Sequence, residues 1–370
     1  MGIKLWQKRE KLVDTLINQR NLKCSCQSNK ICTCEVKINE FLEDINYFQL
    51  FNGLENILLS SNSPKDFGNV VSVEDFKRIY SFDRKLSNEI FNLTNIFEEK
   101  LQNSISYHFS EAYCSSLNDT MQYTNKLNYD DISTYVNYPF SHSKQLYNKI
   151  IYNFNAMDNR GDSKFKLFSM QFLDRLVKNN DMINKSFYRD NNYNASSGVS
   201  VYSNDSKVAV PFWVAIQTFD FGTLRYLCHY LKDSEMNLVL KDFGLKKTDR
   251  YMFLSILDII NELRNYCAHG KLIFKFKTPE FIKINNSLVS KYGLNVAHGT
   301  GTRTTPYSVI KLFDTLMILS DFVSAKSVYK IFKKLIYLNN LSLKNDAGRI
   351  NDNILRAINV SSYSDLKKLC

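Results

Sequence analysis

A long apolar stripe with helical spacing restricts the fold of this chain more than any other feature. Between residues 73 and 108, large apolar side chains recur at intervals of three, four and seven residues. The members of this stripe are Phe76, Ile79, Leu86, Ile90, Leu93, Ile96, Phe97, Leu101 and Ile105. The pattern predicts one or two long helices that bury this stripe in a helical core.

The amino-acid composition agrees with a helical fold. A hydrophobic content of 44% and an aromatic content of 14% are typical of a folded globular protein rather than a disordered one. With only 12 glycines and 5 prolines, the chain is a poor candidate for a turn-rich β-sandwich. We therefore predict an all-α helical bundle with an N-terminal helical region and minor β or extended elements.

The chain of 370 residues is long enough for about two domains. Residues 179–207 are dominated by Asn, Ser, Asp and Gly and show no periodicity, which indicates a polar loop or linker. We predict an N-terminal helical region over 1–178, this linker, and a helical domain over 208–370.

Further helices are predicted from apolar spacing over 37–59, 210–231 and 308–338. Within the first of these, Gly53 is a candidate break. The partly alternating segment 272–277 is interpreted as a short strand or an extended cover. Beyond residue 339 we expect a final short helix and a frayed end.

The net charge of +11 and the isoelectric point near 9.1 favour a polyanionic partner, with RNA or DNA as the first expectation and general solubility as the alternative. The sequence has no secretory leader pattern and no run of 18 apolar residues, so we expect a cytoplasmic protein with no membrane partner. The eight cysteines are then expected to be reduced.

Four cysteines lie within eleven residues, at Cys24, Cys26, Cys32 and Cys34. Four thiolates so close together could form a tetrahedral structural zinc site, or they could be four free thiols on a polar loop. Either interpretation gives the segment a structural role, and we expect no cofactor for catalysis. Cys267 stands apart from this group and is interpreted as a packing residue.

Residues 261–270 carry the chemistry that the sequence makes most visible, because Arg264 precedes His269 by five residues. Arginine binds a phosphate through a planar fork of donors, and histidine can transfer a proton near neutral pH. The pair could therefore cleave a phosphodiester without a metal. We expect a helix that begins after an N-cap at Asp249 and ends at Gly270.

Three polar neighbours are candidates to support this pair. Asn265 could bind a phosphate oxygen or hold the imidazole, while Glu262 and Asp258 could orient Arg264. A solvated helix face is the preferred interpretation of Asp258, and both interpretations stay open for Glu262. Because five residues correspond to an offset of about 140° on a helix, Arg264 and His269 would meet at one phosphate only through the length of arginine, the helix end or a second subunit.

Several segments resemble the bacterial abortive-infection family typified by AbiD and AbiF. The strongest, residues 264–270, resembles that family's R-N-x-C-A-H block. The others follow in the family's order: Ile45-Asn46-Tyr47-Phe48, Tyr80-Ser81-Phe82-Asp83-Arg84-Lys85-Leu86, and Pro211-Phe212-Trp213-Val214-Ala215-Ile216 with Phe219 and Phe221-Gly222-Thr223-Leu224. Two positions depart from the pattern, since Gln217 replaces an acidic residue and Gln102 replaces an arginine that would begin a second motif ending at His108.

The resemblance implies a fold and an activity. Its family belongs to the HEPN superfamily of ribonucleases, so it implies a HEPN-like helical bundle and a metal-independent endoribonuclease toxin of phage defence. Catalysis would rest on Arg264 and His269 with Asn265, and Glu262 would support them. The resemblance also implies a homodimer with a composite cleft and a small non-coding RNA antitoxin. A non-catalytic RNA-binding protein is the alternative, and a structural scaffold is a third possibility.

Overall fold

The described part of the chain is built mainly from α-helices. The computed structural model describes residues 8–24, 33–115, 119, 122–124, 128–130, 211–280, 282, 284–294, 297–298 and 308–370. The α-helices in these ranges are α1 (Arg9–Asp14), α2 (Thr33–Asp44), α3 (Gly53–Leu58), α4 (Val73–Tyr113), α5 (Phe212–Ala215), α6 (Phe221–Tyr230), α7 (Asp233–Asp242), α8 (Arg250–Ala268), α9 (Asn286–Tyr292), α10 (Leu312–Ser320), α11 (Lys326–Leu343) and α12 (Ala347–Ile358).

Tighter and wider helical turns connect several of these helices. The π turns are Thr15–Gln19 and Phe48–Asn52, and the 3-10 turns are Gln122–Thr124, Ile216–Thr218, Lys247–Asp249, Ile273–Lys275, Lys344–Asp346 and Tyr363–Leu369. The segment predicted as a strand or extended cover therefore contains a 3-10 turn, and only a single bridge between Lys277 and Lys311 is strand-like there.

Apart from two isolated bridges, the β-structure of the described residues consists of two antiparallel pairs of two-residue strands. The first joins β1 (Ser61–Asn62) to β2 (Lys65–Asp66), and the second joins β3 (Ala297–His298) to β4 (Ser308–Val309). The prediction of an all-α fold with minor β elements is confirmed. No helix in the described ranges is both long and apolar enough to cross a lipid bilayer.

The chain forms two compact units, and each is assembled from separate stretches of sequence. Unit 1 comprises Met1–Leu93, Leu263–Lys277 and Ile310–Cys370, and unit 2 comprises Thr94–Glu262 and Thr278–Val309. The boundaries fall inside α4 and inside α8. The linker predicted over 179–207 lies outside the described residues, so the division into 1–178, 179–207 and 208–370 stays a prediction.

Unit 1 has an aromatic core on the first half of α4. The Phe76 ring lies 4.9 Å from that of Phe51 and 5.3 Å from that of Phe67, and all three side chains are buried. Aromatic pairs at such distances add to the stabilisation from burial. The predicted stripe over 73–108 is thus a single helix, although Ile96 on this stripe is exposed.

Gly53 does not break the helical segment, contrary to our prediction. The interruption lies at residues 45–46, and the chain continues from a π turn into α3 at Gly53. A Cβ atom at Gly53 would lie 2.3 Å from Leu272 Cδ1 and 3.2 Å from the Phe48 carbonyl oxygen. The glycine therefore permits close packing between α3 and the segment that follows α8.

Unit 2 has its own aromatic core, which begins on the second half of α4. The Phe97 ring contacts those of Phe221 and Phe243, at centroid distances of 6.0 and 5.3 Å. Further along α4, the ring of Phe109 packs against that of Phe212 at 5.2 Å, and Tyr123 stacks on Phe212 at 4.9 Å. The family-like segment 211–216 is anchored in this core through Phe212.

Two predicted helices are each divided in the structure. The segment 210–231 breaks before α6, where the Asp220 carboxylate accepts hydrogen bonds from the Thr223 backbone N–H and hydroxyl, both at 2.7 Å. The segment 308–338 begins with β4 and breaks between α10 and α11.

The chain end is packed rather than frayed, because Leu366 and Leu369 are buried.

Candidate active site

The helix that carries the predicted motif ends as its sequence indicates. Gly270 has a φ angle of +63°, and its N–H donates to the Cys267 carbonyl at 3.0 Å. Glycine adopts this left-handed conformation without a Cβ penalty, so it closes the turn in which His269 follows the last residue of α8, Ala268. At the other end, the Asp249 carboxylate accepts from the Lys246 N–H at 2.9 Å. Asp249 therefore caps the 3-10 turn Lys247–Asp249, which precedes α8.

Arg264 and His269 differ in their exposure. The Arg264 side chain is half-buried, and its guanidinium carbon lies 5.5 Å from the centroid of the Phe91 ring. An aromatic face attracts a cation at such a distance. The His269 side chain is exposed, while its backbone N–H donates to the Asn265 carbonyl at 3.0 Å. The arginine thus rests against the protein, and the imidazole faces solvent at the helix end.

The other predicted site residues lie on the same helix. Asn265 is half-buried and belongs with Arg264 and His269 to unit 1. Glu262 is also half-buried and is the last residue of its stretch of unit 2. Since the offset of about 140° between Arg264 and His269 separates their Cβ directions, a substrate strand would have to bridge the two groups. The roles of all four residues stay predictions.

A buried aspartate and its neighbouring arginine hold the chain directly after the motif. Arg84 donates from Nη1 to the Gly270 carbonyl at 2.6 Å and from Nη2 to the Lys271 carbonyl at 2.5 Å, and it forms an ion pair with Asp83. Asp83 Oδ1 accepts from the Phe274 N–H at 3.0 Å. We call this arrangement the Asp83–Arg84 clamp. It fixes the backbone on the C-terminal side of His269.

Sequence reasoning missed the function of this clamp. In the sequence, the segment containing Asp83 and Arg84 stands out only by its resemblance to the family, and the residues that it holds lie more than 180 positions away along the chain. The adjacent D-R pair on a buried helix face was the available signal, because a buried carboxylate needs partners. Burial raises the pKa of Asp83, and the Phe274 N–H and the Arg84 guanidinium counteract part of that rise.

Two other groups of the motif are held in their protonated forms. Burial raises the pKa of the Cys267 thiol to about 11, so this cysteine is no ready nucleophile and acts as a packing residue. Burial likewise raises the pKa of Tyr266 to about 12, and its ring packs edge-on against Phe276 at 5.2 Å. Among Tyr266, Cys267 and His269, only the His269 side chain is exposed.

Asp258 is not on a solvated helix face, contrary to our interpretation. Its side chain is buried and accepts a hydrogen bond from Arg225 Nη1 at 2.8 Å. Each side chain of this ion pair is only 7% exposed. Its partner comes from α6, 33 positions away, which spacing along α8 could not reveal. Asp258 therefore stabilises the interior of unit 2.

The positions of the incomplete second motif have structural partners within unit 2. Gln102, which replaces the family's arginine, is buried and donates from Nε2 to the Phe219 carbonyl at 3.4 Å. His108 Nε2 lies 2.8 Å from Asp242 Oδ2, and Ser104 donates to the same oxygen at 2.7 Å. These contacts tie α4 to α7 and to the chain before α6.

The predicted zinc site cannot be assembled from the described residues. Cys24 and Cys34 are both half-buried, whereas Cys26 and Cys32 lie outside the described ranges. Elsewhere in the described residues, no three His, Cys, Asp or Glu side chains are grouped so that they could hold a metal. The zinc site therefore stays a prediction.

Comparison with known families identifies one match that covers most of this architecture. The family described as Abi-like protein matches residues 40–275, which include α3 to α8, the Asp83–Arg84 clamp and the motif. A comparison with curated proteins and one with solved structures find no match. The matched range exceeds half of the chain, and it ends before α9.

Proposed function

The chain belongs to the Abi-like protein family, and from this premise we propose that it is a metal-independent endoribonuclease toxin of the HEPN type. The family is one of abortive-infection phage defence. The finer assignment is supported by one arrangement: an exposed imidazole at the end of α8, five residues after an arginine, with the backbone beyond it held by the Asp83–Arg84 clamp.

The proposed reaction is an internal transfer at a phosphodiester of RNA. The 2′-hydroxyl attacks the adjacent phosphorus, a new P–O bond forms, and the bond to the 5′-oxygen breaks. His269 moves the proton that leaves the 2′-hydroxyl or the one that reaches the 5′-oxygen. Arg264 binds the phosphate and stabilises the charge that develops on it. The products are a 2′,3′-cyclic phosphate and a free 5′-hydroxyl.

Three features of the turn suit this chemistry. Gly270 ends the helix at the imidazole, so no further helical turn covers it. The clamp limits the movement of residues 270–274, and ordered positioning of a catalytic group contributes strongly to rate. The phosphate-binding candidate Arg264 lies over an aromatic ring, which orients its fork of donors.

The test measures cleavage of a labelled RNA by the full chain in the presence of a chelator. We expect cleavage by the wild type and a loss of about 100-fold or more in both Arg264→Ala and His269→Ala. Arg356→Ala, which removes an exposed arginine far from the motif in sequence, serves as the matched control and should cleave normally. Cleavage that needs a divalent metal, or that survives both substitutions, would contradict the proposal.

RNA binding without cleavage is the alternative, and the same variants distinguish it. If the wild type and His269→Ala hold RNA equally and neither cleaves it, the chain is an RNA-binding protein. The net charge of +11 supports RNA as a partner under either hypothesis.

The proposal extends to a homodimer, in which two copies of the motif form one cleft, and to a restraining non-coding RNA. We expect specific activity per protomer to fall on dilution as the dimer dissociates. An undiminished activity in a protein that light scattering shows to be monomeric would contradict the dimer.

We also expect one discrete small RNA to co-purify with Arg264→Ala, and its absence would remove the antitoxin from the proposal.

A further inference from the structure

The exposed face of α11 concentrates positive charge beyond the range that matches the family. This helix, Lys326–Leu343, contains four lysines and no aspartate or glutamate. The lysines are Lys326, Lys330, Lys333 and Lys334, and all four are exposed. Their spacing places them within about 100° of the helix circumference, over roughly 12 Å of its length. A polyanion lying along the helix could therefore contact them together.

An exposed aromatic side chain continues this face. Tyr337 lies one turn after Lys333, and 61% of its surface is exposed. A tyrosine so placed offers a flat surface on which an unpaired base can stack. Lysines that contact phosphates beside an aromatic platform are typical of surfaces that bind single-stranded nucleic acid. We call the four lysines and Tyr337 the α11 surface.

A cleft of about 580 Å³ opens beside Tyr337, between α11, α12 and the last 3-10 turn. Its lining includes Lys333, Tyr337 and Asn340 on one side and Asp352 and Tyr363 on the other. The volume falls within the range of small-ligand sites, about 300–1,000 Å³, which suits one base with its sugar rather than a duplex.

A chain of amide hydrogen bonds orients Asn340, one of the polar residues that line this cleft. Asn339 donates to Asn351 at 2.8 Å, and Asn351 donates to Asn340 Oδ1 at 2.9 Å. Asn339 in turn accepts from Arg78 at 3.3 Å. Because the oxygen of Asn340 is engaged by Asn351, its exposed amide presents the N–H₂ group as a donor. This donor can bind a carbonyl oxygen on the edge of a base.

Three acidic residues lie on the elements around the cleft, and only one of them has no ion pair with a basic side chain among the described residues. Asp346 is paired with Arg349 at 3.2 Å, and Asp365 is paired with Lys368 at 2.9 Å, so their charges are balanced. Asp352 lines the cleft and is exposed. A carboxylate repels phosphate and accepts from base amino groups, so the backbone belongs on the lysine side and the base edge on the Asp352 side.

We propose that the α11 surface and its cleft bind single-stranded RNA, with phosphates on the lysines, one base stacked on Tyr337, and the edge of that base read by Asn340 and Asp352. The choice of RNA among polyanions rests on the proposed function. Because the surface lies outside residues 40–275, it supplies this chain with RNA contacts that the family match does not include.

The experiment measures the binding of a fluorescent single-stranded RNA to the full chain over a series of salt concentrations. In the triple variant Lys330→Ala/Lys333→Ala/Lys334→Ala, we expect weaker binding and a fall of about 2 in the slope of log affinity against log salt. The matched control is Lys11→Ala/Lys241→Ala/Lys247→Ala, which removes the same charge from exposed positions on other elements. Equal binding by the two triple variants would overturn the proposal.

Stacking is tested at Tyr337. We expect Tyr337→Ala to lose about tenfold in affinity and Tyr337→Phe to retain the wild-type value, because the ring alone provides the stacking. Equal binding by Tyr337→Ala and the wild type would overturn the stacking. Since all substituted side chains are exposed, the melting temperatures of the variants should match that of the wild type.

A membrane surface is the competing occupant, since a basic helix face can also bind anionic lipid. Binding of anionic phospholipid vesicles, lost in the lysine variant while RNA binding persists, would overturn the proposal. Failure of the proposed function has a different outcome: the wild type would bind RNA through α11 but would not cleave it, or would cleave it without Arg264 and His269.

Discussion

Two aspartate–arginine pairs of this protein use the same groups for different purposes. In unit 2, Asp258 and Arg225 are joined at 2.8 Å, with both side chains 7% exposed. In unit 1, Asp83 is fully buried, but Arg84 is partly exposed and directs two donors to backbone carbonyls after the motif. The first pair stabilises an interior. The second ties the backbone of an exposed turn to a buried carboxylate, and the proposed function depends on such positioning of the His269 imidazole.

Breaking the interior pair should have the largest effect on stability. We expect Asp258→Ala to lower the free energy of unfolding by about 3–5 kcal/mol, because the Arg225 charge stays buried without its carboxylate. Denaturant unfolding measures this loss. Asp233→Ala is the matched control, since it removes an 83% exposed carboxylate from another arginine pair and should cost about 1 kcal/mol or less. Equal losses in the two variants would show that Asp258 is not buried as described.

Removing Arg84 should lower activity more than stability. We expect Arg84→Ala to cost about 2 kcal/mol of unfolding free energy, because the buried carboxylate of Asp83 and two backbone carbonyls lose a charged partner. RNA cleavage should fall mainly in kcat, since the imidazole is positioned less well.

The control for Arg84 is another arginine of unit 1 that holds backbone carbonyls. Arg349 donates to the carbonyls of Leu58 and Leu59 at the end of α3, rather than to the backbone of the motif segment. Arg349→Ala should lose comparable stability and keep its kcat. If both variants lose activity in proportion to stability, the clamp has no positioning role.

The interior of unit 2 should also respond to pH through His229. Burial lowers the pKa of His229 well below its ordinary value of 6.5, and the nearby Arg225 and Arg250 lower it further. The unfolded chain therefore binds a proton that the folded chain does not. The contribution of neutral His229 to the free energy of unfolding is complete above pH 6.5. It is lost as pH falls below 6.5, by at most about 1.4 kcal/mol per pH unit. Asparagine does not titrate in this range, so His229→Asn should lose this part of the dependence of unfolding free energy on pH. An unchanged dependence would show that another group causes it.

The smallest effect is expected at the glycine that ends α8. In Gly270→Ala, an alanine would have to adopt a φ angle of +63°, and the backbone strain should lower the free energy of unfolding by about 1 kcal/mol. Space is not limiting, because the nearest atom to that Cβ would be Arg84 Nη1 at 3.7 Å. Gly293→Ala, at +57° with no neighbour within 4 Å, should cost the same stability without lowering RNA cleavage. Normal cleavage by both variants would show that the turn tolerates this change.

Local features of the fold could be predicted from the sequence, and distant pairings could not. The helix end at Gly270 follows from the residues of a single helical turn, and this prediction is confirmed. The sequence also contains a signal for the helix start at Asp220, because aspartate is a preferred N-cap residue.

The misassignment of Asp258 and the missed clamp have one cause. Their partners, Arg225 and the 270–274 segment, are distant in sequence, and spacing along one helix carries no information about them. For the candidate site, the sequence identified the residues of the turn but not the buried carboxylate that fixes it.

Cleavage by the proposed mechanism is tested most directly by comparing, in chelator, a ribonucleotide strand with the same strand carrying a single 2′-deoxy substitution at the mapped cleavage position. We expect the wild type to cut the first strand to a 2′,3′-cyclic phosphate and a 5′-hydroxyl and to leave the second intact at that position. We expect His269→Ala to cut neither strand. Cutting of the deoxy-substituted bond, or ends without a cyclic phosphate from an enzyme unaffected by His269→Ala, would contradict this mechanism.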